Sequence, residues 1–310
     1  SFFNSNGQEL TLVPDLSISS ILRYAKINKI SKEKVFYTGN AFRKSYNRNN
    51  VVIKQIGMEI FSSSDENKDD KEIIETCIKI LKKTAIKNAK IKIGNFKLFE
   101  LLIQKLPLAS RWKRRLVKFY WNEIYFLKLL KRLESNSDID PYIVAGDHKT
   151  YMKMKKESPK KIIAGRSYNE IIDRYEKKIS DPRVAKTGKY SSKIIKEFLK
   201  IKCSLKDAPQ KLNRFYKKYN LNISVGKEFF PLSNFNQKNL KFEFSTSNGR
   251  GRDVEFYSSF IFSIEVKIKN KIKIFSSGGR YNDLTSKNFG LKKIPAVGAA
   301  INLDILWLFG

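Results

Sequence analysis

An α+β fold is predicted for this chain of 310 residues from two observations. Short runs of alternating apolar and polar residues stand near both ends, the period of a half-buried strand. Between them, apolar residues recur at the three- and four-residue spacing of helices. An antiparallel sheet built from the two ends of the chain, flanked by helices and carrying a helical insert, satisfies both. No internal repeat is evident.

Three regions follow in order. In residues 1–85, Val35–Phe42 and Val51–Phe61 alternate on either side of the polar turn Ser45-Tyr-Asn-Arg-Asn-Asn50, which reads as an antiparallel hairpin. Ile73, Ile74, Cys77, Ile78 and Leu81 then predict a helix over Lys71–Lys83, with Asp69 and Asp70 favouring its start. Residues 86–235 are Lys-rich and mostly helical, with helices expected over Phe96–Leu106, Arg111–Leu133, Tyr168–Ile179 and Ser191–Lys200. The basic cluster Arg111-Trp-Lys-Arg-Arg115 reads as a solvated helix face beside a buried Trp112. Residues 236–310 return to strands: Lys241–Ser245, Phe256–Val266 and Lys271–Phe275, the last two joined by a turn at Lys269-Asn-Lys271. Pro295–Leu308, rich in small residues, reads as a strand entering a buried helix.

Composition sets limits on function. Hydrophobic residues make up 41% and aromatic residues 13% of the chain, enough for a real core and too many for wholesale disorder. The apolar runs are cut by Lys, Gln or Asn before membrane-spanning length, so no transmembrane helix is expected. The net charge of +32 would ordinarily suggest nucleic acid. It comes from 48 Lys and only 14 Arg, however, and phosphate-gripping surfaces favour the bidentate Arg fork. Background composition therefore explains the charge better than a nucleic-acid partner does. Two distant cysteines, Cys77 and Cys203, form no disulfide framework or metal spacing and fit a reducing cytoplasm. Neither cofactor nor metal is expected. The lone histidine, His148, sits in the loop-like Ala145-Gly-Asp-His148 without a triad partner motif. The chain opens on Ser1-Phe-Phe with no signal-peptide pattern, which leads to the expectation of a missing N-terminal segment.

Four segments carry chemistry. Leu10-Thr-Leu-Val-Pro-Asp-Leu-Ser17 places a carboxylate and a hydroxyl after a strand-like run. Ala41-Phe-Arg43 stands across the hairpin from Gln55-Ile-Gly-Met-Glu59, whose Gln55, Gly57 and Glu59 share one face. Gly249-Arg-Gly-Arg-Asp-Val-Glu-Phe-Tyr257 and Phe275-Ser-Ser-Gly-Gly-Arg-Tyr-Asn-Asp283 follow, the latter leading to Pro295-Ala-Val-Gly298. An amino-acid zwitterion needs acceptors for its ammonium group, which Asp15, Gln55 and Glu59 can supply. It also needs donors for its carboxylate, which Arg43 or Arg252 can supply. Phe256, Tyr257 and the Gly278-Gly279 turn offer aromatic and glycine-walled space for a side chain.

In this order and spacing the segments resemble the catalytic core of class II histidyl-tRNA synthetases and their non-catalytic relative, the regulatory subunit of ATP phosphoribosyltransferase. Pro14-Asp-Leu-Ser17 is similar to the family's Pro-Glu/Asp-Gly/Leu-Thr element, and Phe42-Arg43 to the arginine of motif 2. Gln55-Ile-Gly-Met-Glu59 is similar to its Gln-x-Gly-x-Glu, and Arg252-Asp-Val-Glu-Phe-Tyr257 to its Arg-Gly-Leu-Asp-Tyr-Tyr. Gly278-Gly-Arg-Tyr281 and Pro295-Ala-Val-Gly298 match the Gly-Gly-Arg-Tyr-Asp turn and the approach to motif 3. The middle stretches Gly94-Asn-Phe-Lys-Leu-Phe and Ala164-Gly-Arg-Ser167 also look like some regulatory subunits. The resemblance implies a histidine site made of Asp15, Leu16, Ser17, Arg43, Gln55, Glu59, Arg252, Phe256, Tyr257, Gly278, Gly279, Arg280 and Tyr281.

Departures from the family pattern separate regulator from enzyme. A synthetase ends motif 3 in Gly-Leu-Glu-Arg, whereas Asn302-Leu-Asp-Ile305 puts isoleucine where the phosphate-binding cation should stand. Lys44-Ser45 follows Arg43 in place of the usual Arg-x-Glu and long basic loop. Without that clamp the triphosphate chemistry loses its electrostatic stabilisation. With the sequence ending soon after motif 3, no anticodon-binding domain is expected. The resemblance thus implies a non-catalytic subunit that binds L-histidine, pairs with itself, and regulates the short-form ATP phosphoribosyltransferase catalytic subunit in histidine biosynthesis. An active histidyl-tRNA synthetase and a synthetase-derived RNA-binding module are the alternatives.

Overall fold

A computed structural model describes residues 2–27, 31–42, 52–86, 89–135, 141–157, 162–163, 165–179, 185–230, 240–251, 256–268 and 271–307. The first ladder is a short hairpin, β1 (Phe2–Phe3) and β2 (Glu9–Leu10), followed by α1 (Leu16–Lys26). Asp15 starts α1: its carboxylate accepts the Ser17 amide at 2.8 Å and satisfies a donor with no partner inside the helix. Next come β3 (Glu33–Phe42), β4 (Val52–Phe61) and α2 (Glu66–Lys82), the last capped by Asp65. The expected hairpin partners thus pair antiparallel, from Glu33 opposite Phe61 to Phe42 opposite Val52. The turn residues Ser45–Asn50 lie outside the described residues, as do Lys269 and Asn270.

The middle of the chain contains β5 (Ala89–Asn95), α3 (Phe96–Lys105), α4 (Ser110–Lys118), α5 (Glu123–Ser135), α6 (Pro141–Glu157), β6 (Ile162–Ile163), β7 (Arg166–Ser167), α7 (Tyr168–Ile179), α8 (Ala185–Leu199), β8 (Lys202–Ser204) and α9 (Ala208–Lys218). The single helix expected over Arg111–Leu133 is two, α4 and α5. Between them Tyr120 and Trp121 turn inward, 4.4–5.0 Å in ring-centroid distance from Phe96 and Phe99. A continuous helix could not aim these consecutive rings into the same aromatic cluster. His148 lies within α6, not in a loop, and is exposed.

The last region supplies β9 (Leu240–Ser245), β10 (Phe260–Ile268), β11 (Lys271–Arg280), α10 (Leu284–Phe289), β12 (Ala296–Asn302) and α11 (Leu303–Leu306). Strand β10 begins at Phe260, four residues later than the alternation predicts. Ser258 instead donates its amide to the Arg280 carbonyl at 2.7 Å, which frees Phe256 and Tyr257 from the ladder.

Eight strands form one sheet in the order β3-β4-β12-β11-β10-β5-β9-β8, antiparallel except for the β5–β9 pair. Two core clusters hold it. The larger runs from α2 across β4, β12 and β10 to α3–α5, α8 and α9; the smaller joins Ile21, Tyr24, Phe61, Tyr281, Leu284, Ile294 and Ala296 on the α1 side. Register sets the composition of the α1 face. One row across it reads Val35, Glu59, Gly298, Gly279, Ile261 and Gly94. The next reads Tyr37, Gly57, Ala300, Ser277, Ser263 and Lys92. Small residues thus fill most of the sheet's middle on this face, leaving depth for a few large side chains to lie across it.

Phe99 is fully buried against the rings of Phe96, Tyr120, Phe126 and Phe198. Phe99→Ala is expected to cost about 3–5 kcal/mol of stability, read as a lowered urea midpoint with an unchanged slope.

Candidate functional site

The site centres on one buried carboxylate. Glu59, on β4, has 1% of its surface exposed. The Tyr37 hydroxyl, from β3, donates to Oε1 at 2.9 Å, and the Tyr281 hydroxyl donates to Oε2. Since Tyr37 gives its proton to Glu59, the 3.0 Å contact between Ser17 Oγ and Tyr37 must have Ser17 as the donor. A chain of hydrogen bonds therefore runs from the first turn of α1 through Tyr37 to Glu59.

Glycine makes this packing possible. A Cβ on Gly298 would stand 1.4 Å from Glu59 Oε2, and one on Gly57 would stand 1.9 Å from Tyr37 Cζ. The carboxylate and the tyrosine ring thus rest directly on the sheet backbone, where any side chain would displace them. Tyr257 lies over Gly279 in the same way, and Phe256 sits between the rings of Tyr257 and Tyr281, 5.0 and 5.5 Å away.

Most of the residues named from the sequence meet on this face. Asp15 caps α1 beside Ser17, and Gln55 lies buried on the same side of β4 as Gly57 and Glu59. Leu16 packs over Gly39 of β3. Gly279, Tyr281, Phe256 and Tyr257 are on the α1 side. Gly278 and Arg280, by the alternation of β11, are on the opposite side. There the fully buried Arg280 pairs with Asp70 of α2, Nη2 to Oδ1 at 2.7 Å. Arg43 and Arg252 lie outside the described residues. Arg250, the neighbour of Arg252 in the motif, donates Nε to the Tyr120 carbonyl at 2.9 Å and stacks on Phe126, toward the helical region. Tyr37 and Gly298 were not among the expected site residues. Tyr37 stands opposite Gly57 only in the observed register, with Phe42 opposite Val52, which the hairpin pattern alone does not fix.

Burial pushes the Glu59 carboxyl up to about 7, against the opposing pull of the hydroxyls of Ser17, Tyr281 and Tyr37; the negative charge of Asp15 adds to the rise. Burial and the Glu59 charge likewise push the Tyr37 and Tyr281 phenols well above their ordinary range, so both remain donors at neutral pH. This arrangement is an anionic acceptor in a dry, aromatic setting, suited to an ammonium or imidazole group. Among the described residues no group of His, Cys, Asp and Glu could hold a metal ion, and no helix is long and apolar enough to cross a membrane.

The fold is class II aminoacyl-tRNA synthetase-like. The histidyl-tRNA synthetase family profile matches residues 2–126. A solved histidyl-tRNA synthetase from Nostoc sp. PCC 7120 superposes with a TM-score of 0.56 at 15% identity, over 96% of this chain and 59% of that one. An "ATP phosphoribosyltransferase regulatory subunit/histidyl-tRNA synthetase" from Bacillus halodurans superposes with a TM-score of 0.50 at 18% identity, over 98% and 66%. The chain is homologous to ATP phosphoribosyltransferase regulatory subunits: that of Brucella anthropi is 23% identical, over 98% of this chain and 84% of its own.

The raised Glu59 carboxyl has a signature in stability. The folded state holds this proton more tightly than the unfolded chain, whose carboxyl titrates near 4.3. Its contribution to stability is therefore fully present below pH 4 and is lost as pH rises through about 7. Glu59→Gln is expected to exceed the parent in stability at pH 8, by up to about 3 kcal/mol, and to converge with it at pH 4. Urea denaturation at the two pH values checks this.

Proposed function

We propose that this chain is a non-catalytic regulatory subunit of ATP phosphoribosyltransferase that binds L-histidine on the α1 face of its sheet. In the proposal it activates and feedback-regulates a short-form catalytic subunit in the first step of histidine biosynthesis, in the cytoplasm, as a self-paired component of the complex. The observation that carries the ligand assignment is the buried Glu59 carboxylate between Tyr37 and Tyr281. It presents a fixed acceptor to a cationic or NH-bearing ligand, and Asp15 and Gln55 add further acceptors nearby. Tyr257, Phe256 and the glycines beneath them supply a flat wall for an imidazole ring. Similarity to regulatory subunits along almost the whole chain supports the role. Ile305, which the sequence resemblance aligns with the phosphate-binding arginine of the synthetases, is packed in the core and also supports it.

Regulation by histidine requires that it bind one arrangement of the complex more tightly than the other. The hydrogen-bonded chain from Glu59 to α1 provides one place for that difference to arise, because a ligand drawing on Glu59 also alters what Tyr37 offers to Ser17.

The family profile over residues 2–126 favours a second function, an active histidyl-tRNA synthetase. Histidine-dependent exchange of pyrophosphate into ATP separates the two: robust exchange would overturn the regulatory assignment, and none is expected.

Calorimetry is expected to show histidine binding that disappears in Glu59→Ala and in Asp15→Ala; retention of parental affinity in both would sink the site. Affinity is expected to fall about tenfold per pH unit below pH 7, as protonation removes the Glu59 acceptor, with the slope tending to flatten above it.

Co-expression with a short-form catalytic subunit is expected to yield a co-purifying complex whose activity exceeds that of the catalytic subunit alone and falls on addition of histidine. Absence of both association and activation would overturn the proposed role.

A further inference from the structure

Arg280 is one of the largest fully buried side chains in the protein, and it lies behind the site rather than in it. Its guanidinium uses its whole fork. Nε and Nη2 reach Asp70 Oδ1 at 2.8 and 2.7 Å, Nη2 also reaches the Glu66 carbonyl at 3.0 Å and Ser63 Oγ at 3.4 Å, and Nη1 reaches Asn282 Oδ1 at 3.2 Å. Glu66 Oε2 stands a further 3.7 Å from Nε.

Asp70 and Glu66 belong to α2, whereas the other two partners, Ser63 and Asn282, are attached to segments that also supply the site. Ser63 follows β4, which carries Glu59, and its amide donates to the Pro295 carbonyl at 3.2 Å, at the entry to β12 and Gly298. Asn282 Oδ1 accepts the Ala296 amide at 3.1 Å, and Asn282 N donates to Ser258 Oγ at 3.2 Å. Ser258 follows Phe256 and Tyr257 and is itself bound to the Arg280 carbonyl through its amide. Tyr281, the next residue after Arg280, donates its amide to Ala296 and its hydroxyl to Glu59.

We infer that the buried Arg280–Asp70 pair is a positioning element: it holds Tyr281, and with it the Phe256–Tyr257 segment, in register with Glu59 from the far face of the sheet. The planar guanidinium fixes directions as well as distances, which an apolar side chain of similar volume would not do. A buried ion pair is a poor source of net stability, because desolvation offsets much of its attraction, whereas directional control survives that offset. Arg280 touches no ligand in this arrangement and acts only through Tyr281. Its functional consequence rests on the proposed histidine site; the positioning itself does not.

The test reads Glu59 directly and needs no ligand. The groups facing Glu59 are Asp15 and Ser17 from α1, Tyr37 from β3 and Tyr281 after β11, and Gly298 of β12 offers no side chain. The hydrogen bond from Tyr281 holds the carboxyl down, so loosening it raises the midpoint. Carbon-13 NMR of Glu-labelled protein, with the Glu59 resonance assigned as the one lost in Glu59→Gln, gives that midpoint. Arg280→Lys and Asp70→Asn are both expected to raise it by about half a unit or more, as Tyr281→Phe does, and neither should shift it further in the Tyr281→Phe background. The same variants should bind histidine about tenfold more weakly at pH 7.5, under conditions where urea denaturation shows them fully folded. Asp70→Asn keeps the shape of the site and stands in where Arg280→Lys does not fold. An unmoved Glu59 midpoint in the folded variants would overturn the inference, and so would shifts that add in full to that of Tyr281→Phe. A parent protein that does not bind histidine would overturn the ligand assignment while the Glu59 midpoint still decided the positioning role.

Discussion

The architecture of the α1 face follows from the need to keep one ionisable carboxyl inside a sheet. A buried carboxylate without partners costs several kcal/mol, so Glu59 must be met by donors from its neighbours. Tyr37 can reach it from the adjacent strand because Gly57 leaves room for the ring, and Tyr281 reaches it from beyond β11. Gly298, directly opposite Glu59 in the ladder, must lack a side chain for the carboxylate to lie where it does. Ser17 then completes the tyrosine's hydrogen bonding and ties α1 to the sheet. One requirement thus accounts for two glycines, two tyrosines and the docking of a helix.

The two faces of β11 divide the work. Ser276, Gly278 and Arg280 look toward α2, where Ser276 meets Cys77 and Arg280 meets Asp70. Ser277, Gly279 and Tyr281 look toward α1. The motif Gly278-Gly-Arg-Tyr281 is therefore not four ligand contacts in a row. It is an alternation, with support on one side of the sheet and the site on the other. A residue-by-residue transfer of a family signature misses this, since a motif records which residues recur and not which way they face.

Alternation and spacing made much of the fold legible. The β3–β4 hairpin, α3 and α7 stand within a few residues of their expected positions, whereas α2 starts at Glu66, five residues before the expected Lys71, with Asp69 and Asp70 inside it. What failed has local causes. Ala89-Lys-Ile-Lys-Ile-Gly-Asn95 alternates as cleanly as any strand, yet its place in a Lys-rich, mostly helical region masks that period; it is an interior strand of the sheet, with Lys92 paired to Glu265 across the ladder. The break between α4 and α5 contains neither proline nor glycine. The tertiary aromatic cluster around Phe96 and Phe99 calls for it, and Asn122, whose Oδ1 accepts the Tyr125 amide at 2.9 Å, caps the start of α5. Glu59, Gln55 and Gly57 were visible by period two, whereas Tyr37 needed the register of the hairpin as well as its existence.

The surplus of lysine and the site obey different rules. Several surface lysines pair with carboxylates that are partly exposed, as Lys218 does with Glu197 and Lys287 with Asp283, and such pairs contribute little to stability. At the site the charges are few and dry, and their effects are correspondingly larger. On the proposed function this separation has a mechanistic use. An enzyme that activates an amino acid must stabilise charge developing on a triphosphate, which requires cations held beside the substrate. A subunit that only senses the amino acid needs a fixed acceptor, a shaped wall and a link from both to the rest of the fold. Glu59, the Tyr257–Gly279 wall and the Ser17–Tyr37 connection supply those three parts. Ile305 is packed into the core, and on the proposed function it fills its position for packing rather than for chemistry.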